Sequence, residues 1–139
     1  MIKISILSVG KTKEKWLEEA CNEYIKRLKS SLQITYLWAR DDVQLIEWAN
    51  KENFIVCLDP KGALLSSEEL SVFLEKSWTA GGSRLCIVIG GAEGLPFELK
   101  SRPLISLSRL TFTHQMTRLI LLEQIYRSLE IQKGSQYHK

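Results

Sequence analysis

Residues 85–94 read Leu85-Cys86-Ile87-Val88-Ile89-Gly90-Gly91-Ala92-Glu93-Gly94, five consecutive apolar residues followed by a glycine-rich turn. An unbroken apolar run of that length suits a strand covered on both faces, as in parallel sheets flanked by helices. Phe54-Ile55-Val56-Cys57-Leu58 repeats the pattern 31 residues upstream. These two runs set the expectation for the whole chain, and the segments around them are read against it.

Towards the N-terminus, Ile2, Ile4 and Ile6 alternate with Lys3 and Ser5, which predicts a strand over 2–9 ended by Gly10. Trp16, Leu17, Ala20, Cys21, Tyr24, Ile25 and Leu28 form one helical apolar stripe, so a helix is expected over 13–29 with Thr12 capping its first turn. A strand over 33–38 and a short helix over 42–51 follow. Ser66 and Glu69 have the spacing of a capping box. They open a helix whose inner face is Leu70, Phe73, Leu74, Ser77 and Trp78, with Gly81-Gly82 as its stop. Beyond the glycine turn come a short helix over 96–100, a strand over 104–107 and a long helix over 115–131. Strands alternate with helices throughout. The expected fold class is therefore α/β, a mainly parallel sheet flanked by helices. The 139 residues contain no repeat, linker or low-complexity segment, so 1–139 reads as a single domain.

Composition narrows the function classes. A net charge of +3 suits an RNA partner without requiring one. No apolar run approaches the ~20 residues that a membrane span needs, and the alternating start is unlike a signal peptide. Cys21, Cys57 and Cys86 are odd in number and widely spaced. They suggest reduced core thiols rather than a metal site or disulfide framework. The expectation is a cytoplasmic protein with no metal and no membrane association.

Two loops carry the candidate chemistry. Gly90–Gly94 follows a buried strand, where ligands of open α/β sheets bind. Its spacing is neither the dinucleotide fingerprint nor a P-loop, and a tight turn needing positive φ explains it equally well. Leu107-Ser108-Arg109-Leu110-Thr111-Phe112-Thr113-His114 joins a strand to the last helix. Its hydroxyls and apolar side chains can hold a nucleoside, or Thr113 can simply cap the helix. That helix is apolar on several sides, which predicts a helix-mediated dimer. Glu123 and Arg127 sit at i and i+4 on its expected exposed side. The chain ends in Lys133-Gly134-Ser135-Gln136-Tyr137-His138-Lys139, either a frayed basic tail or one that reaches over a neighbouring site.

Taken together, these segments resemble the RlmH family of SPOUT-class methyltransferases. The likeness covers almost the whole chain. It begins with Ile6-Leu7-Ser8-Val9-Gly10-Lys11 and Tyr24-Ile25-Lys26-Arg27-Leu28, and continues through Leu58-Asp59, Lys61-Gly62 and Ser66–Leu70. It is strongest in Gly90–Gly94, Leu107–Phe112, His114-Gln115-Met116-Thr117-Arg118, Glu123–Arg127 and Tyr137-His138-Lys139. Thr113 stands where the family usually has proline, and the region around Arg40–Ala49 is shorter than in the family.

The resemblance implies an α/β knot whose C-terminal part is a trefoil, binding S-adenosyl-L-methionine. Leu58, Gly90, Leu107, Ser108, Arg109, Leu110, Thr111 and Phe112 match its cofactor-contacting positions. It further implies a homodimer that methylates N3 of a pseudouridine in 23S ribosomal RNA on the assembled ribosome. That nitrogen carries a proton, so a base is needed. His114 and His138 are the candidates, with Tyr137 and Arg127 beside them in the family-like motifs. Arg118, Arg127, Lys133 and Lys139 are candidate phosphate contacts. The competing readings are a silent RNA-binding module, a small nucleotide- or flavin-binding protein, and a knotted enzyme that methylates tRNA ribose.

Overall fold

Five strands form one sheet in the computed structural model, which describes residues 2–80, 82 and 84–139. The chain runs β1 (Ile2–Val9), α1 (Lys15–Leu28), β2 (Leu32–Ala39), α2 (Asp42–Asn50), β3 (Ile55–Leu64), α3 (Ser67–Ala80) and β4 (Arg84–Ile89). A 3-10 turn (Phe97–Leu99), β5 (Leu104–Ser106) and α4 (His114–Lys133) complete it. The strand order is β2-β1-β4-β3-β5 and every pairing is parallel. The α/β expectation is met.

The apolar runs are explained by two cores, one on each face. Along β4, Leu85, Ile87 and Ile89 face a core shared with α1, α3 and α4, while Cys86 and Val88 face one shared with α2 and the 3-10 turn. β3 divides the same way, with Val56 on the first side and Ile55 and Cys57 on the second. A two-residue side-chain period, buried on both faces, leaves no polar position in between. Burial also pushes the Cys57 and Cys86 thiols up, to about 11 and about 12. Neither is a nucleophile at neutral pH.

Local signals mostly appear where the sequence puts them. Ser66 and Glu69 form the reciprocal box: Glu69 N–H donates to Ser66 Oγ at 3.1 Å, and Ser66 N–H donates to Glu69 Oε1 at 2.8 Å. Thr113 caps α4, its Oγ1 accepting from Met116 N–H at 3.2 Å. Gly134 closes α4 in the left-handed conformation. Of the expected stop at Gly81-Gly82, Gly81 lies outside the described residues and Gly82 has φ +66°.

Three expectations are corrected. Thr12 does not cap α1, which starts at Lys15 after a Glu14 that makes no side-chain cap bond. The Thr12 hydroxyl instead accepts from Arg118 at 2.8 Å. Trp16 is not in the buried stripe; it is 58% exposed. β3 continues past Leu58 to Leu64 because it pairs with β5 twice, before and after a register shift between Leu58 and Ala63. Gly62 permits the second pairing, since a Cβ there would lie 2.7 Å from the Ile105 nitrogen and the Leu104 carbonyl carbon.

Among the described residues no helix is long and apolar enough to cross a membrane, and no cluster of His, Cys, Asp and Glu is arranged to hold a metal ion.

Candidate active site

Beyond the carboxyl ends of β4 and β5, and beside the register shift in β3, lies a cleft of about 690 Å³. That is the position where open α/β sheets bind ligands, and the size suits one small ligand, for which clefts run about 300–1,000 Å³. Three segments build it. β3 contributes Leu58, Asp59 and Pro60, at its register shift. β4 runs into Gly90–Leu95. β5 runs through Ser106, Leu107 and Ser108 to Leu110–Thr117. Glu14, Trp16 and Leu17 add a wall from the start of α1.

The glycine loop folds tightly on itself. A Cβ on Gly90 would lie 2.4 Å from the Gly94 carbonyl group, and Gly94 has φ +87°. A turn needing positive φ therefore holds at Gly94, while Gly90 lets the loop's own backbone close on it. In the second loop, Ser106 Oγ donates to the Ser108 carbonyl and Leu110 N–H donates to Ser108 Oγ. Among the described residues, the main-chain groups of Leu107, Thr111 and Phe112 make no backbone–backbone hydrogen bond. They are left for a ligand or solvent.

The charge of the lining is one-sided. It holds three carboxylates, Glu14, Asp59 and Glu93, and no lysine or arginine. Of the positions matched to cofactor contacts, Leu58, Gly90, Leu107, Ser108, Leu110, Thr111 and Phe112 line the cleft. Arg109 does not; it is exposed and lies outside the lining. Sequence reasoning missed Glu14 and Trp16. The helical period places Trp16 in the stripe, but its position at the very start of α1 leaves it beside the cleft rather than under the sheet-facing turns.

His114 lies in the lining, as the first residue of α4. Partial burial lowers its pKa from 6.5, and the cations of Arg118 and Lys13 lower it further. Its imidazole is therefore neutral at neutral pH.

Arg118 sits one turn on and is fully buried, contrary to the expectation of a phosphate contact. Its guanidinium donates to Ser8 Oγ at 3.1 Å, Thr12 Oγ1 at 2.8 Å, the Gly10 carbonyl at 2.6 Å and the Val9 carbonyl at 3.4 Å. It lies 4.6 Å from the centre of the Trp38 ring. No carboxylate pairs with it among the described residues. Four neutral acceptors and an aromatic face replace the lost water.

The other predicted residues gather elsewhere. Arg127 Nε is 3.2 Å from both Glu123 carboxylate oxygens, and both side chains are about one-fifth exposed, so the pair is not on a solvent face. Arg127 NH1 lies 3.0 Å from His138 Nδ1, and His138 Nε2 meets Glu68 Oε1. A guanidinium can only donate, so Nδ1 accepts and Nε2–H donates to Glu68. Tyr137 packs edge-on against Tyr126 at 4.8 Å and its hydroxyl donates to Glu123. Burial, then the Glu123 charge, pushes the Tyr137 phenol up to about 12. The tail is docked on α3 and α4 rather than frayed. Thirteen residues of helix separate Arg127 from His114, about 20 Å at 1.5 Å per residue. One chain does not bring the two groups of candidates together.

Comparison with known proteins adds three findings. Residues 2–138 match the family model described as "Predicted SPOUT methyltransferase". A protein of Protochlamydia amoebophila named ribosomal RNA large subunit methyltransferase H is 69% identical, with both chains fully covered. One of the same name from Acetivibrio thermocellus is 39% identical over 99% of this chain and all of its own. The alignment with the second spans 159 positions and that with the first 140, so the shorter length of this chain is shared with the first. Among solved structures, a "probable methylase family protein" from Haemophilus influenzae Rd KW20 superposes with a TM-score of 0.54 at 13% identity. The match covers 94% of this chain and 66% of that one, and at this identity it bears on the fold alone.

Proposed function

The chain belongs to the RlmH family of SPOUT methyltransferases, and we propose that it transfers a methyl group from S-adenosyl-L-methionine to N3 of a pseudouridine in 23S ribosomal RNA. The proposal takes residues 1–139 as one methyltransferase domain, knotted at its C-terminal part and working in the cytoplasm as a homodimer on assembled ribosomes.

The observation that carries it is the charge of the cleft. The donor supplies an electrophilic methyl on a positively charged sulfonium. A lining with three carboxylates and no lysine or arginine suits that charge. Leu58, Gly90, Leu107, Ser108, Leu110, Thr111 and Phe112 would hold the donor through apolar contact and main-chain hydrogen bonds. Alignment of nucleophile and methyl should supply most of the rate. The target nitrogen must also lose its proton. His114 is neutral, lies in the lining and has no side-chain hydrogen bond among the described residues, so it is the candidate base. In His138 both ring nitrogens are engaged, by Arg127 and Glu68. Tyr137, protonated at neutral pH, donates rather than accepts. Within the homodimer, the Arg127–Tyr137–His138 group would serve the partner's cleft instead of its own.

The test is transfer of labelled methyl to ribosomes lacking the modification, followed by digestion to nucleosides. Label in N3-methylpseudouridine supports the full proposal. Label in a ribose-methylated nucleoside keeps the transferase and overturns the target. Absence of both transfer and donor binding overturns the reading. Sedimentation at working concentration tests the dimer.

A further inference from the structure

Charge around the cleft is segregated. Its lining carries three carboxylates, and the adjoining loop between β1 and α1, with the first residue of α1, carries Lys11, Lys13 and Lys15, all exposed. None of the three lysines forms an ion pair among the described residues. Trp16 stands between the two zones. It lines the cleft, yet 58% of it is open, whereas its neighbour Leu17 is buried. Holding an indole in water is unfavourable.

The loop is also held in place. Arg118 ties Val9, Gly10 and Thr12 to α4 from beneath. Lys13 N–H donates to Gln115 Oε1 at 3.0 Å, fastening the loop to the first turn of the same helix. The rim is thus fixed relative to His114, which leads that helix. A preset aromatic face beside a row of free cations is the arrangement with which proteins take up unpaired nucleotides. Bases stack on the ring and phosphates meet the lysines.

We infer that residues 11–16 form the nucleotide-receiving edge of the cleft: Trp16 stacks on the base to be methylated, and Lys11, Lys13 and Lys15 meet its flanking phosphates. The inference rests on the proposed RNA methyl transfer and deepens it. A base must leave its stack to enter the cleft, and an aromatic partner offsets that loss. The lysines lie outside the lining, at its rim, where they meet the RNA.

The experiment compares Trp16→Ala, Trp16→Phe and the triple exchange of Lys11, Lys13 and Lys15 to glutamine. It measures donor affinity by calorimetry, oligomeric state by sedimentation, and methyl transfer against ribosome concentration. For Trp16→Ala the ribosome KM should rise about tenfold, the scale of one lost stacking partner. Donor affinity and oligomeric state should stay put, and Trp16→Phe should recover most of the loss. The triple variant should lower the salt slope of ribosome binding by about 2, at roughly 0.7 per phosphate contact for single strands. An unchanged ribosome KM, a matching loss of donor affinity or a shift in oligomeric state for Trp16→Ala would each overturn the stacking role. An unchanged salt slope would overturn the phosphate role. If the wild-type chain binds ribosomes but transfers no methyl, the proposed function fails, while the salt slope still decides the loop's part in RNA binding.

Discussion

The N-terminal end of α4, and its C-terminal half together with the tail beyond it, each hold a histidine and an arginine, and they are built on opposite electrostatic plans. At the N-terminal end Arg118 is fully buried against hydroxyls, carbonyls and an indole, with no anion. Its charge stays uncompensated and acts on His114, which it helps to keep neutral. At the C-terminal end Arg127 is largely buried against Glu123, and His138 lies between Arg127 and Glu68. Charge there is matched pair by pair. The contrast separates two uses of the same residue types. One end leaves an imidazole with its proton-accepting nitrogen available beside a cleft. The other uses its imidazole to pin a tail.

The largest expected effect breaks the contrast at its centre. His114→Ala should lower the single-turnover rate by about 10²–10⁴-fold, the usual worth of a positioned base, with donor binding unchanged. His138→Ala should cost less in that assay. The reverse ranking would move the base to the tail cluster.

Arg118 comes next and reads out in stability. Arg118→Met removes the charge but keeps bulk. It leaves the Ser8, Thr12, Val9 and Gly10 acceptors without their donor. Bonds to a charged donor are worth about 1.5–3 kcal/mol each, but the acceptors partly recover water, so a net loss of about 3 kcal/mol is expected. For a chain of this size that lowers Tm by about 10 °C in thermal melts. A melt within 2 °C of wild type would show that the buried charge is not part of what holds the loop.

Arg118 also marks where the sequence stops being legible. The sheet could be read because each apolar strand carries its own burial signal, and Ser66–Glu69 and Thr113 because caps are local. The burial of Arg118 is not local. Its partners lie about 110 positions away, and nothing in His114–Arg118 distinguishes a buried arginine from an RNA-binding one. Trp16 failed for a related reason. The helical period assigns it to the stripe, but the cleft beside it is made by segments 40–100 residues further on. The cleft glycines and the Leu107–Phe112 loop were legible as binding candidates from their places after strands, with a plain turn or cap as the alternative. The family resemblance chose between the two.

A smaller effect sharpens the comparison through pH. Burial and the cations of Arg118 and Lys13 put the folded-state pKa of His114 below 6.5. Between those two values the unfolded chain binds more protons. The contribution of His114 to stability is therefore complete above about pH 6.5 and is lost as pH falls through the folded pKa. Glu68, lowered below 4.5 chiefly by its bond to His138, loses its share only further into acid. Urea unfolding at a series of pH values should show His114→Gln flattening the slope just below pH 6.5. An unchanged slope there would mean that burial and the two cations do not act on His114.

The smallest effect belongs to the matched end. Glu123 and Arg127 are an i,i+4 pair, worth about 0.3–0.5 kcal/mol when exposed. Here both side chains are about one-fifth exposed, and Arg127 also lies over the Tyr137 ring at 4.8 Å. Partial burial strengthens the attraction and raises the desolvation cost together, so the coupling should stay near 0.5–1 kcal/mol. A double-mutant cycle with Glu123→Gln and Arg127→Met isolates it. The Arg127 change alone should cost more than the coupling, because it also removes the donor to His138 and the stack under Tyr137. If the single change costs no more than the pair, the tail is not held by Arg127, and the two ends of α4 differ less than their geometry implies.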